Sequence, residues 1–407
     1  MAWQERSVMD LRHEFVMLAL KAGSNRRELC RRFRISRQTG YKWLRRYGEE
    51  GRAGLADRSR RPTRNPARTA PEMEALVLDV RAASNGAWGG RKIRRRLHDL
   101  GHDGVPSAST ITGILRRHGA LDEDEAARHA PWRRFEHAAP NALWQADYKG
   151  HFAIADGRCH PLTVLDDHAR YALGLEACGD ERGATVAARL RAIFRRYGLP
   201  RTILFDNGPP WGDPGGAPFT VLTVWLIELG VHVIHARPRH PQTLGKDERF
   251  HRSLKAEVLR HRHFADLDQC QRAFDRWRQV YNHERPHEAL DLDVPATRYC
   301  PSAIAFPETL PAIEYGPGDH LRKVQSGGWV HFKGSAFRLS SALRGKPVAL
   351  RPTPEDGVFT VHFCAQAIAD IDLRNGAVRS PPGCGFDGYR WRDTHNSTAA
   401  TTATKDI

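Results

Sequence analysis

The sequence predicts a multidomain protein. It combines N-terminal all-α helix-turn-helix units, a central α/β core with a mixed sheet, and a small C-terminal β-barrel-like domain. Three observations predict this. Apolar residues recur at helical spacing through residues 10–47 and again through 72–118. Strand-like runs and amphipathic helices succeed one another from 141 to about 283, the texture of a sheet covered by helices. Residues 326–373 then alternate apolar with polar, as short strands do. At 407 residues, roughly two to four domains are expected.

Charge narrows the partner. The formal net charge is +16, which suits a polyanion such as nucleic acid. The excess is uneven. Residues 1–140 hold 29 Lys and Arg against 17 Asp and Glu, whereas the remainder holds 34 against 30. The seven cysteines (Cys30, Cys159, Cys178, Cys270, Cys300, Cys364 and Cys384) include no CxxC pair, so neither a zinc knuckle nor a disulfide frame is expected. The start, MAWQERSVMDLRHEF, is too charged for a signal peptide. No apolar run is long enough for a membrane span. The expected setting is a prokaryotic cytoplasm, in association with the nucleoid, with no membrane partner.

The front third is read as a DNA handle. Leu11, Phe15, Leu18 and Ala19 follow helical spacing, and Gly23 breaks the pattern. Asn25 with Glu28 is a capping-box pattern opening a short helix. Ser36 is a good N-cap for RQTGYKWLRRY. Helix, short turn and basic second helix make a helix-turn-helix over residues 1–50, with Arg37, Gln38, Lys42 and Arg45 toward DNA. The same pattern also fits a small bundle with a solvated basic face. Residues 51–71 read as a basic linker. Residues 72–120 read as a second helical DNA-binding domain, with Ile93, Leu97 and Leu100 on one stripe and Arg94 and Arg95 elsewhere. A linker over 121–140 precedes the core at 141–300. A β domain over 315–378 and a disordered tail over 379–407 complete the expectation.

Three acids in the core segment stand out. Asp147 lies inside a strand, in WQADYKG. Asp206 ends the apolar run ILF and precedes a turn, Asn207-Gly208. Turn chemistry alone accounts for such an Asp, and so does a metal ligand at a sheet's mouth. Glu248 sits on a helix expected from near Pro241 to about His261. There Phe250, Leu254 and Val258 face the core, while Arg252 and Lys255 lie within about 40° of Glu248. A solvated Glu–Arg pair explains that face equally well.

Five segments change the balance: WQADYKG, VLDDHARYALG, ILFDNGPPWG, RPRHPQTLGKDERFHRSLK and YNHERPHEAL. In this order, over about 160 residues, they resemble the catalytic core of the retroviral-integrase and insertion-sequence transposase superfamily, the DDE enzymes. The resemblance implies an RNase H-like fold with its three catalytic, metal-holding carboxylates at Asp147, Asp206 and Glu248. It implies two Mg²⁺ per site, with Mn²⁺ as an alternative, and double-stranded DNA, both element ends and target, as partner to a homo-oligomer. His240, Gln242, Lys246, Arg249, Arg252 and Lys255 are candidates for holding DNA. Two departures stand out. Leu244 occupies a place that is commonly polar. Asp247 adds an acid about 100° from Glu248 on the helix, so both cannot easily face one site. The motif and its basic neighbours favour Glu248. Asp166 and Asp167 are expected to serve a hairpin turn.

The chemistry fits the residue types. Mg²⁺ is a hard ion that takes carboxylate and phosphate oxygens, and two ions can flank a scissile phosphate. The expected activity is a transposase that cleaves element ends and transfers the freed 3′-OH to target DNA. A DNA-binding regulator with an inactive core and a nuclease without joining activity are the alternatives.

Overall fold

A computed structural model describes residues 7–58, 68–121, 136–212, 219–236 and 245–380. The chain divides into two compact units, Met1–Arg68 and Thr69–Ile407.

In the first unit, α1 (Val8–Ala19), α2 (Arg26–Arg32) and α3 (Arg37–Glu50) pack around Phe15, Val16, Ala19, Cys30, Trp43 and Leu55. Each helix starts where its cap residue stands. Ser7, Asn25 and Ser36 accept the backbone N–H of Asp10, Glu28 and Thr39 respectively, which satisfies one orphan donor at each end. Between α2 and α3 the chain turns through Arg34 at φ 53°. Gly40 has a packing reason. A Cβ there would lie 2.8 Å from Cys30 Sγ and 2.9 Å from Phe15 Cζ, so glycine's weak helix propensity is accepted for close approach.

The second unit opens with α4 (Pro71–Ala83), α5 (Gly90–Asp99) and α6 (Ala108–Arg117), joined by Val77, Trp88, Ile93, Leu97, Ile111, Ile114 and Leu115. The core follows as β1 (Leu143–Tyr148), β2 (Phe152–Ile154), β3 (Gly157–Asp166), β4 (Ala172–Cys178), α7 (Gly183–Tyr197), β5 (Thr202–Phe205), α8 (Val221–Glu228), β6 (His232–His235), α9 (Gly245–Glu257) and α10 (Leu267–His283). The sheet order is β2-β3-β1-β5-β6, with β4 paired to β3. β1, β3 and β4 pair antiparallel, while β1, β5 and β6 run parallel. The sheet is therefore mixed, as expected. Strand alternation divides its two faces. Trp144, Ala146, Val164, Ile203 and Phe205 join α7 and α8 on one side. Leu165, Ala172 and Leu175 join Phe250 and Leu254 of α9 and Phe274 of α10 on the other. The expected long helix to His261 ends earlier. Val258 leaves helical geometry, and a 3₁₀ turn takes Leu259–His261.

The C-terminal segment forms β7 (His320–Lys323), β8 (Trp329–Phe332), β9 (Ser335–Arg338), β10 (Pro347–Pro352), β11 (Val358–Phe363), β12 (Gln366–Asp372) and β13 (Ala377–Arg379). The sequence pattern predicts something barrel-like. The described strands instead form an open antiparallel sheet, β13-β12-β11-β10-β7, and a separate β8–β9 hairpin. β7 and β13 are its unjoined edges, and the hairpin packs Val330, Phe332 and Phe337 into the shared core without closing the ladder. Gln366 ties this sheet to the core, exchanging hydrogen bonds with the backbone N–H and C=O of Val233 at 3.0 and 2.9 Å. No helix among the described residues is long and apolar enough to cross a membrane.

Replacing Gly40 with Val forces Phe15 or Cys30 to move. We expect a loss of about 1–3 kcal/mol in the N-terminal unit, read as faster amide exchange in α1–α3 of the full chain with the sheet amides unchanged.

Candidate active site

The site begins with strand register. β1 and β5 run parallel with Leu143 beside Thr202, Trp144 beside Ile203 and Gln145 beside Leu204. Continued two residues beyond the paired stretch, the same offset brings Asp147 level with Asp206, the residue just past the end of β5. Level residues on neighbouring strands share a face and sit about 4.8 Å apart along the backbone. Asp147 also lies opposite Thr163 of β3, on the side that α9 covers. Thr163 links the layers: its hydroxyl donates to Asp147 O at 2.9 Å and lies 2.9 Å from His251 Nε2 of α9.

Electrostatics reports the same proximity. Burial pushes the Asp147 carboxyl up to about 7, and the charge of Asp206 adds to the push; Glu181 and Glu248 contribute less, against the Tyr148 N–H. Burial also raises Asp206, opposed by the Gly208 N–H and His235 and assisted by Glu181. The turn role foreseen for Asp206 is visible in its geometry. Its Oδ1 accepts the Gly208 N–H at 3.1 Å, an Asx turn, while its position stays level with Asp147. His235 Nδ1 donates to Asp206 O at 2.8 Å, and Asn207 Nδ2 donates to Ala236 O at 2.7 Å. Trp211 is 1 % exposed and stacks on Phe205 at 4.2 Å between centroids. It packs behind the strand end and presents no face to DNA.

Helix α9 carries two acids with opposite surroundings. Glu248 is exposed in the first turn. Asp247 is 0 % exposed, and neither carboxylate oxygen has a hydrogen-bond partner. Burial first, then the charges of Asp147 and Asp167, raises its pKa well above the usual carboxylate range. His251, one turn along from Asp247, is held neutral: burial and the nearby Lys149 push it down to about 4.

The donor chemistry of Asp147 and Asp206 fits a hard divalent ion. Both are carboxylates, both are raised by burial, and a cation would relieve the mutual repulsion felt at Asp147. The fit stops short of a full ligand set: among the described residues, no group of three or more His, Cys, Asp or Glu is gathered closely enough to hold an ion. Glu248 reaches Asp147 through its charge and not as a third converging side chain.

The expected DNA contacts sort into three kinds. Arg37, Gln38, Lys42 and Arg45 are exposed on α3, although Lys42 Nζ lies 4.6 Å over the Trp43 ring and Arg45 is 3.9 Å from Glu49. Arg94, Arg249, Arg252 and Lys255 are exposed as well. Two others are committed within the fold. Arg95 pairs with Asp99 at 2.8 Å and Asp293 at 2.9 Å, because α5 lies against the segment after α10. Lys246 turns inward to a buried ion pair with Asp167. His240 and Gln242 lie outside the described residues. Asp166 serves its turn as foreseen, accepting the Ala169 and Asn141 N–H groups at 2.7 Å each.

Sequence reasoning passed over two neighbours. Glu181, which lies 2.8 Å from His160 Nδ1, adds negative charge at both strand-end carboxylates. No local pattern marks it. Lys149 lies beside Lys255 and His251 in charge, and its place two residues after Asp147 was a readable signal.

Known proteins resemble this chain in segments. Residues 137–241 and 229–295 match families described as Integrase core domain. Residues 319–379 match the IS481 family transposase, C-terminal domain. Residues 39–115 match a Homeodomain-like domain, and 12–63 a Helix-turn-helix domain. The insertion element IS407 uncharacterized 31.7 kDa protein of Burkholderia multivorans is 29% identical over 159 residues, covering 39% of this chain and 55% of that protein. The insertion element IS476 uncharacterized 39.2 kDa protein of Xanthomonas euvesicatoria is 28% identical over 211 residues, covering 50% and 58%. The chain thus spans little more than half the length of these curated relatives. Among solved structures, the simian T-cell lymphotropic virus intasome with PP2A regulatory subunit B56 gamma has a TM-score of 0.38 at 14% identity, over 75% of this chain and 98% of that one.

Asp247 tests the electrostatic description. An acid whose folded-state pKa is raised loses folding stability as pH climbs above its unfolded value near 4. Asp247→Leu is therefore expected to stabilise the ion-free protein at pH 7 by roughly 1–4 kcal/mol. The gain should shrink as pH falls through about 4, because below that value the wild-type acid is protonated in both states. Thermal melts of both proteins across that range check it.

Proposed function

We propose that this chain, whose segments match integrase core domains and the C-terminal domain of an insertion-element transposase family, is a DNA transposase. It cuts at the ends of its element and transfers the freed 3′-OH into target DNA. The observation that carries this reading is the pair of acids at the ends of neighbouring parallel strands: Asp147 and Asp206 are level, and burial raises both. Such a pair calls for a cation or a proton, and the turn that Asp206 serves gives no reason for the acid at Asp147.

In this reading Asp147, Asp206 and Glu248 would hold Mg²⁺, or Mn²⁺ in its place, with two ions to a site. When bound, these ions would supply Lewis-acid stabilisation at the attacked phosphate. The chain's own contribution is position and charge. Strands β1 and β5 hold two carboxylates on a rigid sheet, which suits in-line phosphoryl transfer, where placement supplies much of the acceleration. Thr163 and His251 fix α9 against β1 through a neutral contact. Lys149, Arg252 and Lys255 would meet phosphates beside the acids. Arg37, Gln38 and Lys42 would contact a duplex from the N-terminal unit, and Arg94 from α5. Residues 1–50 and 72–120 would thus hold DNA, 141–300 would carry the reaction, and a homo-oligomer would bring two element ends together.

The test is Mg²⁺- or Mn²⁺-dependent cleavage and joining on DNA carrying the element's ends. Asp147→Asn, Asp206→Asn and Glu248→Gln should each lower joining at least about 10³-fold, as loss of a group acting in a unit does, with duplex binding kept. Cut ends without joined product would mark a nuclease. A wild type that binds DNA and reacts with neither ion would mark a regulator with an inactive core.

A further inference from the structure

We infer that the buried ion pair between Lys246 and Asp167 is a latch that fixes the first turn of α9 against β1, which makes both of them positioning residues for Glu248. This rests on the reading above, in which Glu248 serves the reaction.

The pair is built from three directions. The Asp167 side chain is 0 % exposed and that of Lys246 only 18 %. Lys246 Nζ also donates to the Asp167 carbonyl at 3.3 Å. The remaining capacity of the carboxylate is taken up by neighbours: Gln145 Nε2 donates to Oδ1 at 2.7 Å, and the His137 backbone N–H to Oδ2 at 2.9 Å. The Asp167 N–H in turn donates to Leu143 O at 3.0 Å. Asp167 is thereby fastened to β1 at Leu143 and at Gln145, which shares a face with Asp147 two residues on. Lys246 stands two residues before Glu248. One strand and one helix, each bearing a proposed catalytic acid, are joined through a single carboxylate.

Helix geometry states what the latch does. Residues 246 and 248 are about 200° apart around the axis. A Lys246 pinned inward therefore holds Glu248 on the open side of α9, where a duplex must arrive, and sets Asp247 between them against the core. Two charges removed from water gain little net stability. Their yield here is a fixed rotation of the helix. A lysine reserved for phosphate would leave its ammonium in solvent, and this one does not.

The experiment uses the full chain with Lys246→Met, Asp167→Asn, the double variant and the conservative Lys246→Arg. Three quantities are read: joining of element-end duplex, the affinity and salt slope of duplex binding, and amide exchange across α9. The latch predicts that each single variant lowers joining by about 10–100-fold, the range seen when a supporting partner is removed. The double variant should be no worse than the singles, Lys246→Arg should recover part of the loss, and duplex affinity should hold. The amides of residues 247–250 should exchange at least tenfold faster, with those of β3 and α10 unchanged. The inference is overturned if Lys246→Met alone weakens duplex binding and reduces the salt slope by about one while Asp167→Asn behaves as wild type, or if exchange in α9 does not move. Should wild type neither cut nor join while exchange responds as described, the transposase reading fails and the latch stands. If a truncating variant unfolds, loss of protection in β3 and α10 reveals it, and Lys246→Arg with Asp167→Glu decides between the outcomes.

Discussion

The parallel pairing of β1 with β5 is the constraint on which the site depends. Its offset brings Asp147 level with Asp206, and the period of two then settles the rest. Trp144 and Ala146 must point to α7 and α8, and Gln145 and Asp147 to α9. A slip of one residue would send the aromatic side chain into the site and the acid into the core. Such a slip is resisted from both sides, because Trp144 is fully buried and Asp147 is not. The acids owe their position to apolar neighbours that do no chemistry.

Placing like charges this way has a consequence for stability. Asp147, Asp206 and Asp247 are each pushed toward the protonated form, with burial as the first cause. Backbone donors answer two of them, the Gly208 N–H at Asp206 and the Tyr148 N–H at Asp147. Asp247 has none. The region is therefore least comfortable with every acid ionised, and cations supplied from outside, whether metal ions or basic side chains, would relax it. Lys246 lies near enough to Asp247 to begin that compensation.

What the sequence revealed follows the range of each interaction. Caps act over three residues, and Ser36 with Thr39 and Asn25 with Glu28 are where the pattern puts them. Phe250, Leu254 and Val258 are buried as their spacing requires. The strand-end place of Asp206 was legible for the same reason. The rest rests on contacts between distant positions. Lys246 meets Asp167 across 79 residues, and Arg96 meets Glu284 across 188. Alternation marked the C-terminal strands, but closure depends on which edges meet, and β7 and β13 do not. Glu181 sits in an unremarkable run and gains significance only from the two strands it faces. The link between Asp147, Asp206 and Glu248 came from the order of motifs, which no local pattern carries.

The arginines of α5 show why charge counts alone misplace a nucleic-acid surface. Arg91, Arg95 and Arg96 contribute to the basic front third, yet they pair with Glu288, with Asp99 and Asp293, and with Glu284. Asn85 adds a hydrogen bond to Glu257 O, and Val280 of α10 packs against the α4–α6 cluster. The helical module is thus fastened to the core in part by Arg95, which the sequence assigned to DNA. A phosphate approaching these arginines must displace a carboxylate already in place, so it gains less there than at an exposed cation. Arg94 stands exposed on the same helix, and Arg116 and Arg117 lie exposed on α6. Although Arg117 also meets Glu74 at 2.6 Å, this side of the module keeps more of its charge toward solvent. The net excess of the front third therefore includes arginines that hold the module to the core and others that stand exposed.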